Sequence, residues 1–246
     1  MRVFHRIIIS LAGLICLGMV FIPTIQVSTE AQTLPPDVGL VTQLSGDVTY
    51  MNESYQKAQE KAQVFVRVRQ GDRFGVKAGA MVQVVYFQGG RKETWKGPAV
   101  FVVGETQSRA EGEKGIQALP EVTILPTGVS QGMRRIPILL RRAGLSRSGT
   151  TQVRGVAGSP QKAIPLSEDE KGEIKMAKEI YQSFRKQTKA EDITPELTLL
   201  GVLADYEQYE EMERVIKDAM KIQPDHLVLK ELDEWVKTQR RRQLKK

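Results

Sequence analysis

Residues able to do chemistry are few in this chain, and their types narrow the reactions open to it. Histidine occurs only at His5 and His226, and cysteine only at Cys16. A serine–histidine relay or a multi-histidine metal site would have to be built around His226, and cysteine-ligated zinc or iron–sulfur sites have no ligand set. Gly144-Leu145-Ser146-Arg147-Ser148-Gly149 approaches a nucleophile elbow but has the wrong spacing and no evident histidine partner. Gly155-Val156-Ala157-Gly158-Ser159 lacks the lysine and the strand–helix setting of a phosphate-cradling loop. Glu210-Glu211 falls on what the spacing makes a solvated helix face, and His226 reads as a surface histidine just after a helix cap. We therefore assign no catalytic, cofactor-binding or metal-ligating residue and expect binding rather than catalysis. A hydrolase of unrecognised type would find few nucleophile–base pairs to work with.

Two groups of residues suit recognition. Tyr86, Arg91 and Trp95 lie close together in a β-rich stretch, where aromatic rings either stack on a sugar or partner or fill a core. The segment Met133–Arg142 sets Ile138-Leu139-Leu140 between the pairs Arg134-Arg135 and Arg141-Arg142. That arrangement can lie on an anionic membrane face or clamp phosphates and carboxylates. The plainer alternative is a solvated basic linker, reinforced by Arg147, Arg154 and Lys162 and by the lack of any acid from Val122 to Ser167.

The elements that must position these residues begin with an export address. Arg2, His5 and Arg6 precede an apolar run from Ile7 to Ile22, Pro23 breaks it, and Thr29-Glu30-Ala31 offers small residues for cleavage. The run is shorter than the ~20 residues a spanning helix needs. Residues 1–31 are thus expected to be a cleaved signal peptide, or an inner-membrane anchor if uncut. Cys16 belongs to the apolar core, since Leu14-Ile15 lacks the small residue of a lipobox. Cleavage would leave a chain without cysteine, suited to an oxidising compartment. The formal charge of +7 falls by only one if Arg2, Arg6 and Glu30 are removed. A basic exported protein meets anionic lipid, polymer or protein rather than nucleic acid.

Residues 38–127 read as a small antiparallel β-domain, a sandwich or barrel. Val64, Val66 and Val68 alternate with Phe65, Arg67 and Arg69, and Met81–Phe87 and Ala99–Val103 are further strand runs. Glu53–Lys61 looks like a helical or looped interruption. Gly89-Gly90 between two such runs suits a tight primed turn. Leu44-Ser45-Gly46-Asp47-Val48, Gly71-Asp72-Arg73-Phe74, Val82–Phe87, Gly89-Gly90-Arg91 and Gly97-Pro98-Ala99 resemble a FecR-type domain. The resemblance covers about residues 38–104 and implies an extracytoplasmic β-domain for protein contact and signalling, with no catalytic residues. FecR-type transducers carry a cytoplasmic sigma-factor-binding segment before their span; the short head ahead of Ile7 leaves no room for one.

Residues 128–166, rich in Gly and Pro, are expected to be a basic linker, and 167–246 a helical domain. Ser167-Glu168-Asp169-Glu170 forms a capping box before Ile174, Ala177, Ile180, Tyr181 and Phe184 at helical spacing. Thr194-Pro195 opens a second helix with the stripe Leu197, Leu200, Leu203. A third spans Gln208 to Ile222 with Met212, Val215, Ile216 and Ala219 on one face, and Asp225 is placed to cap a fourth with Leu229, Leu232 and Val236. The hairpin is similar to a tetratricopeptide repeat through Leu200-Gly201, Tyr209, Met212, Ile216, Ala219 and Pro224. The whole reading is an α+β two-domain chain, a β-domain and a stack of helical hairpins. It is expected to be an envelope interaction or sensing module with a protein partner. A binder of anionic polymer or membrane surface is the alternative.

Overall fold

The computed structural model describes residues 36–52, 59–112, 118–145, 147–148, 151–152 and 165–245. The segment expected to be a signal, Cys16, Arg154, Lys162 and residues 155–159 lie outside them. Strands β1 (Asp37–Ser45), β2 (Val48–Met51), β3 (Glu60–Lys61), β4 (Arg67–Arg69), β5 (Arg73–Val76), β6 (Met81–Tyr86), β7 (Arg91–Lys96), β8 (Ala99–Val103), β9 (Ser108–Glu111) and β10 (Glu121–Ile124) come first. Helix α1 (Thr127–Arg142) follows, then the short ladder of β11 (Arg147–Ser148) and β12 (Thr151–Gln152). Helices α2 (Glu168–Gln187), α3 (Thr194–Asp205), α4 (Tyr209–Ile222) and α5 (Leu227–Leu244) complete the order. The α+β expectation holds: an antiparallel two-sheet region precedes a helical stack. From Leu34 to Lys246 the chain forms one unit.

One sheet runs β10-β7-β6-β1-β4 and the other β3-β2-β5-β8-β9, all pairs antiparallel. Their facing sides share a core of Val41, Val68, Val82, Val84, Phe74, Phe101 and Trp95. Trp95 stacks on Phe101 at 4.4 Å and Phe101 on Phe74 at 5.1 Å. In the second sheet Phe74 and Phe101 point inward while Arg73 and Val100 face water, the alternation of a sheet with one wet face. The first sheet has no wet face at its centre. Leu40 and Val85 on its far side join the helical core with Val129, Met133, Ile136, Leu200 and Met212. Coverage on both sides is why Met81–Tyr86 reads as a near-continuous apolar run rather than an alternation. The result is three layers, sheet on sheet on helices.

Local chemistry explains most boundaries. Gly89 and Gly90 take φ of 72° and 62°, the primed-turn conformation expected between β6 and β7. Ser167 accepts from the Glu170 amide and Glu170 returns the bond to Ser167, so the predicted capping box closes α2. Proline stands in the first turn of α3, as predicted.

Four expectations are corrected. The alternating run at Val64–Arg69 is a strand only from Arg67. Phe65 adopts φ of +62°, which turns its ring into the helical core while Val66 and Val68 stay in the sandwich. Residues 128–142, read as solvated linker, are helix α1, with Val129, Met133, Ile136, Leu139 and Leu140 buried. Its apolar face is fixed by packing on α3, where the would-be Cβ of Gly201 would lie 2.3 Å from the Gly132 carbonyl oxygen. Only glycine at both positions allows that approach. Helix α3 is buried on every side from Thr194 to Ala204 rather than along one stripe, the pattern of a central helix. The cap of α5 is His226, whose Nδ1 accepts from the Leu229 amide, and not Asp225.

Candidate functional site

Three of the seven residues singled out for recognition meet, but inside the protein. Tyr86 and Trp95 are buried in the sandwich core, each on the inner side of its strand. Between them lies Glu93, fully buried, which sequence reading overlooked. Its carboxylate accepts from Arg91 Nε at 2.5 Å, from Trp95 Nε1 at 3.1 Å and from the Ser108 amide at 3.2 Å. The Tyr86 hydroxyl pairs with Ser108 Oγ at 2.6 Å, and burial raises its pKa. A fully buried carboxyl group needs such partners to be tolerated. Here they tie β7 to β9 across the sandwich. The reading of Tyr86, Arg91 and Trp95 as an interaction surface is therefore replaced by a structural one. Aromatic spacing gave no means of telling the two apart.

The arginine quartet is divided by the 3.6-residue period of α1. Arg134, Arg141 and Arg142 are exposed with Ile138, and Arg135 is half-buried against the other helices. Arg134 donates twice to the Phe87 carbonyl, at 2.9 and 2.7 Å. Arg135 pairs with Glu173 at 2.5 Å and Asp205 at 3.4 Å, and Tyr206 donates to the same Glu173. Arg142 donates to the Ala204 carbonyl at the end of α3. The four guanidinium groups do not converge on one ligand. Three fasten α1 to its neighbours, and Arg141 remains exposed.

Two other buried polar clusters are structural anchors. Asp72 accepts from Tyr50 Oη, Asn52 Nδ2 and the Arg69 amide, each at 2.8 Å, closing the turn between β4 and β5. Burial pushes its carboxyl up to about 6. At the sheet–helix junction Lys92 donates to Asp192 at 2.6 Å, and Gln83 reaches Thr42, Thr194 and Asp192 at 2.8, 3.3 and 3.4 Å. Thr42 faces the helices by the same alternation that places Leu40 there and Val41 in the sandwich. Burial acts to raise the Asp192 carboxyl, but the Lys92 ammonium and Thr194 outweigh it and hold the pKa below the usual range. His226 is partly buried rather than a surface residue, its ring 4.9 Å from Phe65. Burial pushes its imidazole down to about 4. Among the described residues no cluster of three or more His, Cys, Asp or Glu is placed to hold a metal ion. Nor is any described helix long and apolar enough to cross a membrane.

What remains open to a partner is on the surface. A groove of about 280 Å³ runs between α2 and α4, with Leu166 and Ile174 below and Lys171, Lys175, Lys178 and Glu211 around it. Lys171 is bound to Glu168 and Lys178 to Glu211; Lys175 is exposed with no ion-pair partner among the described residues. The spacing 171, 175, 178 puts the three on one helix face, a signal legible in sequence once α2 is placed. The second open surface is the edge strand β10, exposed along its whole length. No protein-family model matches the chain, and no curated protein or solved structure is significantly similar to it.

Proposed function

We propose that this is an exported, non-catalytic interaction protein of the bacterial cell envelope, which recognises an acidic segment of a protein partner in the groove between α2 and α4. The observation that carries the reading is Lys175, exposed and unpaired between two lysines of the same helix face, above the apolar floor of Leu166 and Ile174. Lysines so arranged attract carboxylates and steer an acidic partner, while the apolar floor supplies contact area. Support for the compartment comes from the basic–apolar–small layout of residues 1–31 and from the likeness of residues 38–104 to FecR-type domains. The alternative, an anionic polymer or membrane surface bound through Arg134, Arg135, Arg141 and Arg142, keeps less support because three of those side chains bond internally.

The test is in-cell photo-crosslinking from position 208, which lines the groove and leaves Lys175 in place. A discrete protein adduct, lost when Lys171 and Lys178 are both changed to Glu, is expected. Absence of any adduct, or an adduct indifferent to the charge reversal, overturns the groove reading. A reporter fused behind residue 40 that stays in the cytoplasm overturns the compartment.

A further inference from the structure

Eight large apolar side chains stand exposed among the described residues, and three fall in one short stretch: Leu119 at 80 %, Ile124 at 64 % and Val122 at 41 %. That concentration separates them from the single exposed apolar residues common on any protein. The stretch runs from just before β10 to its end, and among the described residues the one strand neighbour of β10 is β7. Leu125 donates its amide to the Gly90 carbonyl at 2.8 Å. In an antiparallel pair the bonding direction alternates, so Glu121, Thr123 and Leu125 turn their backbone groups to β7. Val122 and Ile124 turn theirs outward, where no strand among the described residues receives them.

The side chains alternate as well. Val122 and Ile124 sit opposite Glu93 and Arg91, on the sandwich side of the sheet; Glu121 and Thr123 sit opposite Thr94 and Lys92, on the helix side. On that helix side Lys96 and Lys189 both bind the Glu121 carboxylate, at 3.6 and 3.2 Å, and they are 71 % and 65 % exposed. Two cations share one anion, which leaves one positive charge beside the edge.

We infer that β10 receives an extended segment of a partner protein as an added strand, with apolar residues against Val122 and Ile124 and an acidic residue toward Lys96 and Lys189. Main-chain bonds to the edge supply affinity, and the alternating side chains supply selectivity. Pro120 has no N–H at the next outward position and Pro126 closes the other end. The free edge is therefore short, which suits one added strand and discourages open-ended sheet growth. Pairing with a second copy would bring four lysines and two glutamates onto one face and leave the excess charge unanswered. This inference stands independently of the groove between α2 and α4.

The experiment titrates the full chain with labelled octapeptides that alternate valine with aspartate or valine with lysine, read by fluorescence anisotropy. Saturable binding of the aspartate peptide, at least tenfold tighter than the lysine peptide, is expected. Val122→Pro deletes an outward N–H and leaves the bonds to β7, so it should weaken binding at least tenfold. Lys96→Glu with Lys189→Glu should erase the preference for aspartate. Should Val122→Pro fail to fold by circular dichroism, Ile124→Asp is read in its place by the same criterion. Equal affinity for the two peptides, or no effect of the edge substitution, overturns the inference. So does a dimer of the parent chain that the edge substitution dissociates.

Discussion

Asp72 and His226 respond to the same pH range in opposite directions. Burial raises the Asp72 carboxyl from 3.8 to about 6. Its folded pKa lies above the unfolded one, so its contribution is complete below about pH 4 and is lost as pH rises through 6. Burial lowers the His226 imidazole from 6.5 to about 4. The unfolded chain then binds the extra proton, and that contribution is lost as pH falls from 6.5 toward 4. Each group partly masks the other, and substitution separates them. Replacing Asp72 with Asn sets an amide among donors from Tyr50, Asn52 and Arg69, and should cost about 2–3 kcal/mol near pH 5. His226→Asn keeps a side chain able to cap α5 but removes the titration. Relative to the parent it should gain on the order of 3 kcal/mol between pH 7 and pH 4. Urea midpoints measured across that range decide both; parent and variant curves that run parallel would refute the assignment.

At the level of elements the close crossing of α1 on α3 governs the helical layer. Gly201→Val would drive a side chain against the Gly132 backbone and the Arg135 side chain, separating the helices. We expect a loss of about 2–4 kcal/mol, read as a lower denaturant midpoint. The crossing was half visible in the sequence, since Leu200-Gly201 stood out and Gly132 did not. Capping box, paired glycines and β runs carry local signals, and their elements were legible. Helix α1 was not, because Pro137, a first turn without acids and dense arginine all resemble a connector. Its spacing of Val129, Met133, Ile136 and Leu140 was nevertheless helical. Burial of Tyr86 and Trp95 was not legible either, since period two assigns a side chain to a face but not that face to water or core.

Across the whole molecule, sheet and helices share one apolar core and one buried ion pair. Asp192→Ala would leave Lys92 at that junction without its partner, and should cost about 3–5 kcal/mol. Calorimetry of the parent should give a single transition, because neither part keeps its apolar face covered without the other. Resolution into two transitions would contradict the shared core. The helical roof over the first sheet also has a consequence for the order of folding. Both sheets are built from residues that precede α3, and until the helices dock Leu40, Phe65 and Val85 lack their cover. A chain stopped after residue 166 should consequently bind a hydrophobic dye strongly or precipitate, and adding residues 167–246 in trans should quench the dye if the roof can close late.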